Sequence, residues 1–501
     1  MSLFVKKSLQ QLQTSADEGS SLKRTLGAGN LIALGIGAII GAGLFVRTAA
    51  AAGEHAGPAV TLSFIVAAVG CAFAGLCYAE FASIIPIAGS AYTYAYATMG
   101  EIVAWIIGWA LILEYALGAA TVSISWSEYL NKLVGGRIPY EWCHSPMENI
   151  AGHHGIMNIP ALVILLLLSL LLIKGTQESA TFNTIIVIVK VSIVLVFIAV
   201  GWGFMKDANH TPYIVPADAK PAVLANGSQY SYLPFFNHGW GGILAGAGVV
   251  FFAFIGFDAV STAAQEAKNP KKDMPIGILG SLVVCTILYI LFSYVLTGVA
   301  PYRDFMTQGK EASVAYAIST YMHYGWLATL VTVAILLGFS SVILVMLLGQ
   351  SRVFYTMSTD GLLPKIFSDL HPSFKTPYKS NLILFVFVGL FAAFLPESVA
   401  GDLTSIGTLF AFVLVCFGVW ILRRKDPNLI RPFKTPLVPL VPILGIIICS
   451  AMIVSLDRST QYAALCWMII GLVIYFSYSR RNSKLGTAGD ILPRASDFEE
   501  K

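Results

Sequence analysis

Charged residues are scarce in this 501-residue sequence: Asp, Glu, Lys and Arg together make up 12% of it, whereas hydrophobic types make up 56%. Soluble domains carry about 25% charged residues, so an ordinary soluble globular protein is excluded. The formal net charge is only +4, which gives no reason to expect nucleic acid as a partner. The long apolar runs fit helical spans of about 20 residues better than the alternating strands of a membrane β-barrel. The sequence therefore predicts an all-α integral membrane protein.

Signals of secretion, metal binding and catalysis are also missing. Residues 1–28 are polar and contain no apolar core, so they do not resemble a cleavable signal peptide. All of the seven cysteines except Cys143 fall in predicted spans, which implies no disulfide framework. Cys143, His144, His153 and His154 match no zinc-binding spacing, so we expect no metal site. Without an HExxH pair, a phosphate loop or a nucleophile motif, we expect neither an enzyme nor a bound cofactor.

Twelve membrane-spanning helices are predicted from the apolar runs. Their approximate bounds are 29–52, 58–84, 101–130, 157–174, 180–205, 240–266, 275–299, 325–357, 380–395, 401–422, 437–456 and 461–478. Most Lys and Arg residues, including those in 268–273 and 423–434, fall on the inner side if the N-terminus is cytoplasmic. We therefore expect a cell-membrane protein with both termini in the cytoplasm.

The twelve predicted helices divide into two sets of five and a final pair. Helices 1 and 6 each contain a glycine-rich interruption, so each begins a set of five, and an odd number of spans forces the two sets into opposite orientations. The predicted divisions are a cytoplasmic N-terminal tail at 1–28, a first repeat at 29–205, an extracellular loop at 206–239, a second repeat at 240–425, helices 11 and 12 at 426–478, and a cytoplasmic C-terminal tail at 479–501.

The interruption in helix 1 lies at Gly41, Ala42 and Gly43. In hydrocarbon every backbone N–H and C=O needs a partner, so irregular backbone at membrane depth indicates protein burial or a cavity. The N–H groups freed at the start of a second half-helix suit an anion such as a carboxylate. Close helix packing is the alternative role for these small residues. The matching interruption in helix 6 favours a binding site.

Helix 6 is interrupted around Ala253–Gly256. Unwound backbone there would expose carbonyl groups that can accept hydrogen bonds from an ammonium group. Phe252 stands beside this stretch as a candidate aromatic lid or as an ordinary core residue. Asp258 is costly at membrane depth unless it is paired or hydrated. It is a candidate for capping the second half-helix, for gating or for proton movement.

Lys190 lies near the middle of predicted helix 5, too far from either end for its ammonium to reach water easily. Two roles stay open: a proton carrier, or a permanent ammonium that tethers helix 5 to carbonyls of the helix 1 interruption. In either role it replaces a bound cation. Glu114, in helix 3, is a candidate counter-charge or relay partner for Lys190, or a protonated acid that bonds a neighbouring helix. Ordinary helix residues Ser340, Ser341 and Met346 would face the cavity in this architecture.

Four segments of the chain resemble the amino acid–polyamine–organocation superfamily, and within it the bacterial relatives of the cationic amino acid transporters. The segments are IGAIIGAGLFV, YAEFASIIPIAGSAYTYAYATMGE, FFAFIGFDAVSTAAQEAKNPKKDMPIGI and QSRVFYTMSTDGLLP. The likeness covers nearly all of residues 25–480. It implies the LeuT-type fold, in which two inverted five-helix repeats with discontinuous helices 1 and 6 alternate access to a central site, here followed by two extra helices.

The resemblance also implies roles for individual residues, which we carry over by position. The substrate carboxylate and part of its amine would be held by Ile40, Gly41, Ala42 and Gly43, and the helix 6 gate and amine-binding carbonyls would come from Phe252, Ala253 and Ile255. Asp258 matches an acidic site of related exchangers. Lys190 matches the lysine that replaces sodium in proton-coupled members, and the edge of that position would be formed by Ser340 and Ser341.

Met346 departs from the animal cationic transporters, which carry a serine there. A thioether would fill the side-chain pocket and offer no polar partner to a guanidinium. We therefore predict proton symport of a small neutral L-amino acid such as alanine, with H+ as the coupling ion and lipids as partners. A cationic amino acid transporter and an amino acid or polyamine exchanger are the alternatives, and a sensor of the same fold is a remote one. The sequence does not determine the oligomeric state or any small membrane subunit.

Overall fold

The computed structural model of the protein describes residues 4–7, 26–85, 90–150, 153–174, 180–219, 233–258, 260–261, 267–306, 313–374 and 376–485. Most of the predicted tails, at 8–25 and 486–501, and the loop segment 220–232 lie outside these residues. All the candidate site residues lie within them.

Apolar helices dominate the described residues. In the first half of the chain they are α1 Ala28–Ile39, α2 Thr48–Ala51, α3 Val60–Ile84, α4 Ser90–Thr98, α5 Glu101–Leu133, α6 Ile159–Lys174 and α7 Ala180–Gly201. In the second half they are α8 Gly239–Val250, α9 Pro270–Val299, α10 Ser313–Tyr321, α11 Gly325–Thr359, α12 Tyr378–Phe394, α13 Glu397–Lys425, α14 Leu440–Ser455, α15 Arg458–Ile474 and α16 Arg480–Asn482. A two-stranded antiparallel sheet, β1 Asn149–Ile150 and β2 His153–His154, lies in the loop after α5.

Seven helical segments among the described residues are long and apolar enough to cross a membrane, and five shorter apolar helices accompany them. This confirms the all-α prediction. The exact number of spans and the inverted repeat stay predictions. The predicted span bounds agree closely with the long helices, because continuous apolar runs of this length leave little choice of structure in a bilayer.

Helices 1 and 2 of the sequence prediction are separated by a tight turn at Gly57. Its φ of +59° lies in the left-handed region, which glycine enters without the steric cost of a Cβ. A Cβ at this position would also lie 2.4 Å from the side chain of Val215. The turn therefore requires glycine for both reasons, and α3 begins directly after it at Val60.

Both ends of the described chain meet on one face of the molecule. The N–H of Glu101 donates to the carbonyl of Val5 at 3.0 Å, and the ammonium of Lys7 pairs with Asp360. The N–H of Lys484 donates to the carbonyl of that same Asp360 at 3.1 Å. The predicted N-terminal tail is therefore not separate from the helical body where it is described, at residues 4–7.

Candidate functional site

The interruption in the first predicted span occupies two residues, Ile40 and Gly41. Helix α1 ends at Ile39, Ile40 is extended with φ −73° and ψ 106°, and helical backbone resumes at Ala42 before a π-helical turn at Gly43–Arg47. Among the described residues, the N–H groups of Gly41, Ala42 and Gly43 donate no hydrogen bond to a backbone carbonyl. They are the unpaired donors that begin any helix, and they favour an anionic guest.

The second interruption follows α8. A 3₁₀ turn at Phe251–Phe254 continues the helix, after which Ile255 is extended with φ −61° and ψ 134°. Gly256 then adopts φ +115°, a conformation that a residue with a Cβ rarely takes. The change of direction therefore depends on this glycine.

The two interruptions touch each other. A Cβ added to Gly43 would lie 2.2 Å from the Cα of Ala253, and one added to Gly256 would lie 2.9 Å from the carbonyl oxygen of Ala38. The hydroxyl of Tyr289 lies 2.8 Å from the carbonyl oxygen of Ala253 and 3.1 Å from that of Ile39, so it can donate to either. These glycines thus serve close packing, the role we left open, while the N–H groups beside them have no partner among the described residues.

Phe252, Ala253 and Ile255 are all buried at this contact. The hydroxyl of Tyr289 can donate to the carbonyl of Ala253, a contact that the sequence did not indicate. A carbonyl oxygen has two lone pairs, so this bond leaves one acceptor position on Ala253. Tyrosine is common in this chain, with 21 copies, and nothing in the local sequence distinguishes Tyr289 from the others.

Lys190 is buried, with 1% of its surface exposed. Its ammonium donates to the carbonyl oxygen of Gly37 at 2.8 Å, in the last turns of α1 before the interruption. Its methylene groups pack on α11 at Gly338, where an added Cβ would lie 3.0 Å from Lys190 Cε. The lysine therefore tethers its own helix to α1 at a carbonyl that precedes the interruption, not at the interruption itself, and its role as a proton carrier stays a prediction.

Ser340 and Ser341 lie on α11 close to Gly338. The hydroxyl of Ser340 donates to the carbonyl of Leu336 on its own helix at 2.9 Å. The hydroxyl of Ser341 is buried and has no hydrogen-bond partner among the described residues. Of the two serines, Ser341 therefore has the polar atom that is free to bind a guest.

Glu114 and Asp258 form a second buried polar group. Both are fully buried, and they lie within electrostatic range of each other. The hydroxyl of Tyr115 donates to Asp258 at 3.2 Å, and Glu114 lies beside Thr408 of α13. The structure thus groups Glu114 with Asp258 through neighbours on α5, whereas the hydrogen bond of Lys190 goes to α1.

Met346 lies where three helices meet. It is buried on α11, and a Cβ added to Gly118 of α5 would lie 3.6 Å from its sulfur and 3.6 Å from Cγ2 of Thr404 on α13. The same helix α11 presents Val342 to Gly41, at 3.2 Å from an added Cβ. The helix 1 interruption and Met346 therefore border one face of α11, with aliphatic or thioether groups at both contacts.

A buried ion cluster was missed from the sequence. Arg47, with 1% of its surface exposed, pairs with Asp402 and, at 3.4 Å, with Glu397. These two acids lie on α13, about 350 positions along the chain from the arginine. The cluster ties the second half of the interrupted helix to α13. An arginine inside the apolar run LFVRTAAAAG was the available signal, since such a charge needs a partner.

Known proteins resemble this chain over most of its length. Residues 26–479 match the family described as amino acid permease. The chain is 44% identical to the branched-chain amino acid permease BcaP of Bacillus subtilis (strain 168), an alignment that covers 97% of this chain and 99% of that protein. It is 40% identical to the methylthioribose transporter of the same organism, with 97% and 99% covered. It is 35% identical to the vacuolar cationic amino acid transporter 4 of Arabidopsis thaliana, with 85% and 68% covered.

Proposed function

The chain belongs to the amino acid permease family, and we propose that it imports a neutral L-amino acid together with a proton. Membership confirms the resemblance to that superfamily and to the cationic amino acid transporters. It also makes the chain a multi-pass membrane protein of a transporter family, not of an enzyme family. The proposal rests on the contact between the two interrupted helices, because backbone N–H groups without a partner lie at this buried contact.

The α-carboxylate would bind at the α1 interruption. The N–H groups of Gly41, Ala42 and Gly43 begin the second half-helix there and have no backbone hydrogen-bond partner among the described residues. Helix N-termini favour anions by typically 0.3–1 kcal/mol, and more when buried. The ammonium would bind carbonyls of the second interruption, where Ala253 lies in the 3₁₀ turn and Ile255 is extended. Phe252 lies next to them and would cover the bound substrate.

The side chain of the substrate would point towards Met346, Gly118 and Thr404. Neither a methionine sulfur nor a glycine offers a charged partner to a guanidinium, and the hydroxyl of Thr404 donates to the carbonyl of Ala400 on its own helix, which favours a neutral substrate. A relative at 44% identity is described as a branched-chain amino acid permease, which supports leucine, isoleucine or valine beside our expectation of an alanine-like substrate. A second candidate is methylthioribose, because a relative at 40% identity is described as its transporter.

Uptake into proteoliposomes tests the substrate. Radiolabelled leucine and alanine would be offered under an inward proton gradient, with valine, serine, lysine, arginine and methylthioribose as competitors. We expect the neutral amino acids to compete and the basic ones to fail. Strong arginine uptake would overturn the assignment of a neutral substrate. If methylthioribose were the only competitor, methylthioribose would be the substrate instead of an amino acid.

Gly118→Ala tests the side-chain pocket. The added methyl would lie at ordinary contact distances of 3.6 Å from its neighbours, so the fold should tolerate it. If this wall borders the substrate, the methyl should weaken leucine transport about 10-fold or more, the typical effect of one methylene group, and affect alanine much less. Equal effects on leucine and alanine would exclude Gly118 from the pocket.

Lys190 would couple transport to the proton. Deprotonation would release its charge-assisted bond to the Gly37 carbonyl and free the first half of the interrupted helix to move. Asp258 and Glu114 form the second candidate proton site. We expect Lys190→Ala to abolish accumulation driven by a proton gradient while equilibrium substrate binding persists. Lys365→Ala, at an exposed lysine, is the control. Undiminished accumulation in Lys190→Ala would refute its role.

A further inference from the structure

An apolar groove runs along the outer face of α9. Its volume is about 840 Å³. Its walls come from α9, from α1 through Ile32, and from the loop before α14 through Phe433. The residues of α9 in the groove include Ile276, Val283 and Val284, whose surfaces are 40%, 58% and 37% exposed.

The length of the groove along α9 matches the thickness of one lipid leaflet. From Lys271 to Val284 it follows α9, which at about 1.5 Å per residue corresponds to roughly 20 Å. With its headgroup region, one leaflet contributes about half of the 40–45 Å thickness of a bilayer. An acyl chain that lies along the groove would therefore stay within one leaflet while its headgroup reaches the start of α9.

Positive charge is concentrated at that end of the groove. Lys271 and Lys272 line it and are exposed, and Asn269 adds a side-chain amide. The nearby acid, Asp273, accepts a hydrogen bond from the backbone N–H of Asn269 at 2.9 Å and is not among the residues that line the groove. Two ammonium groups above an apolar trough complement a lipid with an anionic headgroup.

We propose that this groove binds one anionic phospholipid, with the headgroup on Lys271 and Lys272 and an acyl chain against Ile276 and Val284. The lipid belongs to the leaflet at the N-terminal end of α9, which the positive charges mark as the inner one. It would touch Ile32, in the half-helix that precedes the α1 interruption. A Cβ on Gly280 of α9 would lie 2.9 Å from Ile32, so this half-helix and the lipid share one close contact surface.

The headgroup is tested by lipid binding to the purified protein. Native mass spectrometry would compare phosphatidylglycerol with phosphatidylcholine of identical acyl chains. We expect tighter binding of phosphatidylglycerol, and a loss of about 10- to 30-fold in its affinity in the Lys271→Gln/Lys272→Gln double variant. The control is Lys365→Gln/Lys425→Gln, at two exposed lysines outside the groove. Equal binding of both lipids, or an unchanged affinity in the groove variant, would overturn the proposal.

The acyl chain is tested separately. Val284→Trp would fill the groove, whereas Ile287→Trp places the same indole on the exposed face of α9, outside the groove. We expect the first variant to weaken binding of phosphatidylglycerol and the second to leave it unchanged. Because both sites are on the exposed face of one helix, both variants should elute as folded protein. Equal affinities in the two variants would refute binding in this groove.

Discussion

The contact between the two interrupted helices predicts a graded response to three glycine-to-alanine substitutions. At Gly43 the new Cβ would meet the backbone of Ala253 at 2.2 Å; at Gly41 it would meet a methyl group of Val342 at 3.2 Å; at Gly29 it would meet nothing within 4 Å. Backbone cannot rotate away, whereas a methyl group can shift by a few tenths of an ångström. The three substitutions add the same methyl group, so the difference between Gly41→Ala and Gly43→Ala reports mainly what that methyl group contacts.

The expected magnitudes follow from these distances. Overpacking typically costs about 1–3 kcal/mol, and the backbone contact places Gly43→Ala at the upper end or beyond. Gly41→Ala should cost about 1 kcal/mol. Gly29→Ala should be neutral or stabilise the protein by up to about 1 kcal/mol, because alanine is the better helix former.

Two measurements check this order. Thermal unfolding of the ligand-free protein in detergent gives stability, and equilibrium binding of the transported amino acid gives affinity. If the cost falls on the bound state, about 3 kcal/mol corresponds to roughly a 100-fold weaker Kd for Gly43→Ala, and about 1 kcal/mol to roughly 5-fold for Gly41→Ala. A Gly43→Ala protein as stable and as tightly binding as Gly29→Ala would refute the direct contact of the two interruptions.

Three further predictions concern buried polar contacts. Tyr289→Phe keeps the ring but removes the hydroxyl from two carbonyls, so we expect a loss of about 1–2 kcal/mol in thermal unfolding; exposed Tyr462→Phe is the control, and equal stability of the two would contradict the bridge. Arg47→Met leaves two buried acids without their cation; we expect a loss of about 3–5 kcal/mol in the same assay, and an unchanged midpoint would count against the cluster. Gly338→Ala should displace Lys190 and lower proton-driven uptake by about 5-fold or more with little change in stability; normal uptake would show that the lysine adapts.

Features that depend on local sequence were predictable. Glycines in an apolar run indicate an interrupted helix, because few other residues permit irregular backbone at membrane depth. The interruptions lie at Ile40–Gly41 and at Ile255–Gly256, and they overlap the stretches Gly41–Gly43 and Ala253–Gly256 that the sequence indicated. Lys190 was identified in the same way, because a lone cation in an apolar helix must have a partner.

Features that depend on distant pairing were not predictable. Asp402 lies 355 positions from Arg47, and no local pattern shows which buried acid will meet the arginine. Tyr289 lies 250 positions from Ile39 and 36 from Ala253, and its hydroxyl is aimed by the packing of α9 against both interruptions. Helix packing sets such contacts, and a single sequence describes each helix without its neighbours.

Because the two ends of the described chain attach at Asp360, the release of the N-terminal segment can be followed by fluorescence. Lys6 and Asn482 are exposed near the points where the ends attach, and of the native cysteines only Cys466 is exposed. With that cysteine replaced, the pair Lys6→Cys and Asn482→Cys would accept two fluorescent dyes selectively. Their energy transfer would begin high and fall whenever Lys7 leaves Asp360, so a single molecule would report each release of its own terminus.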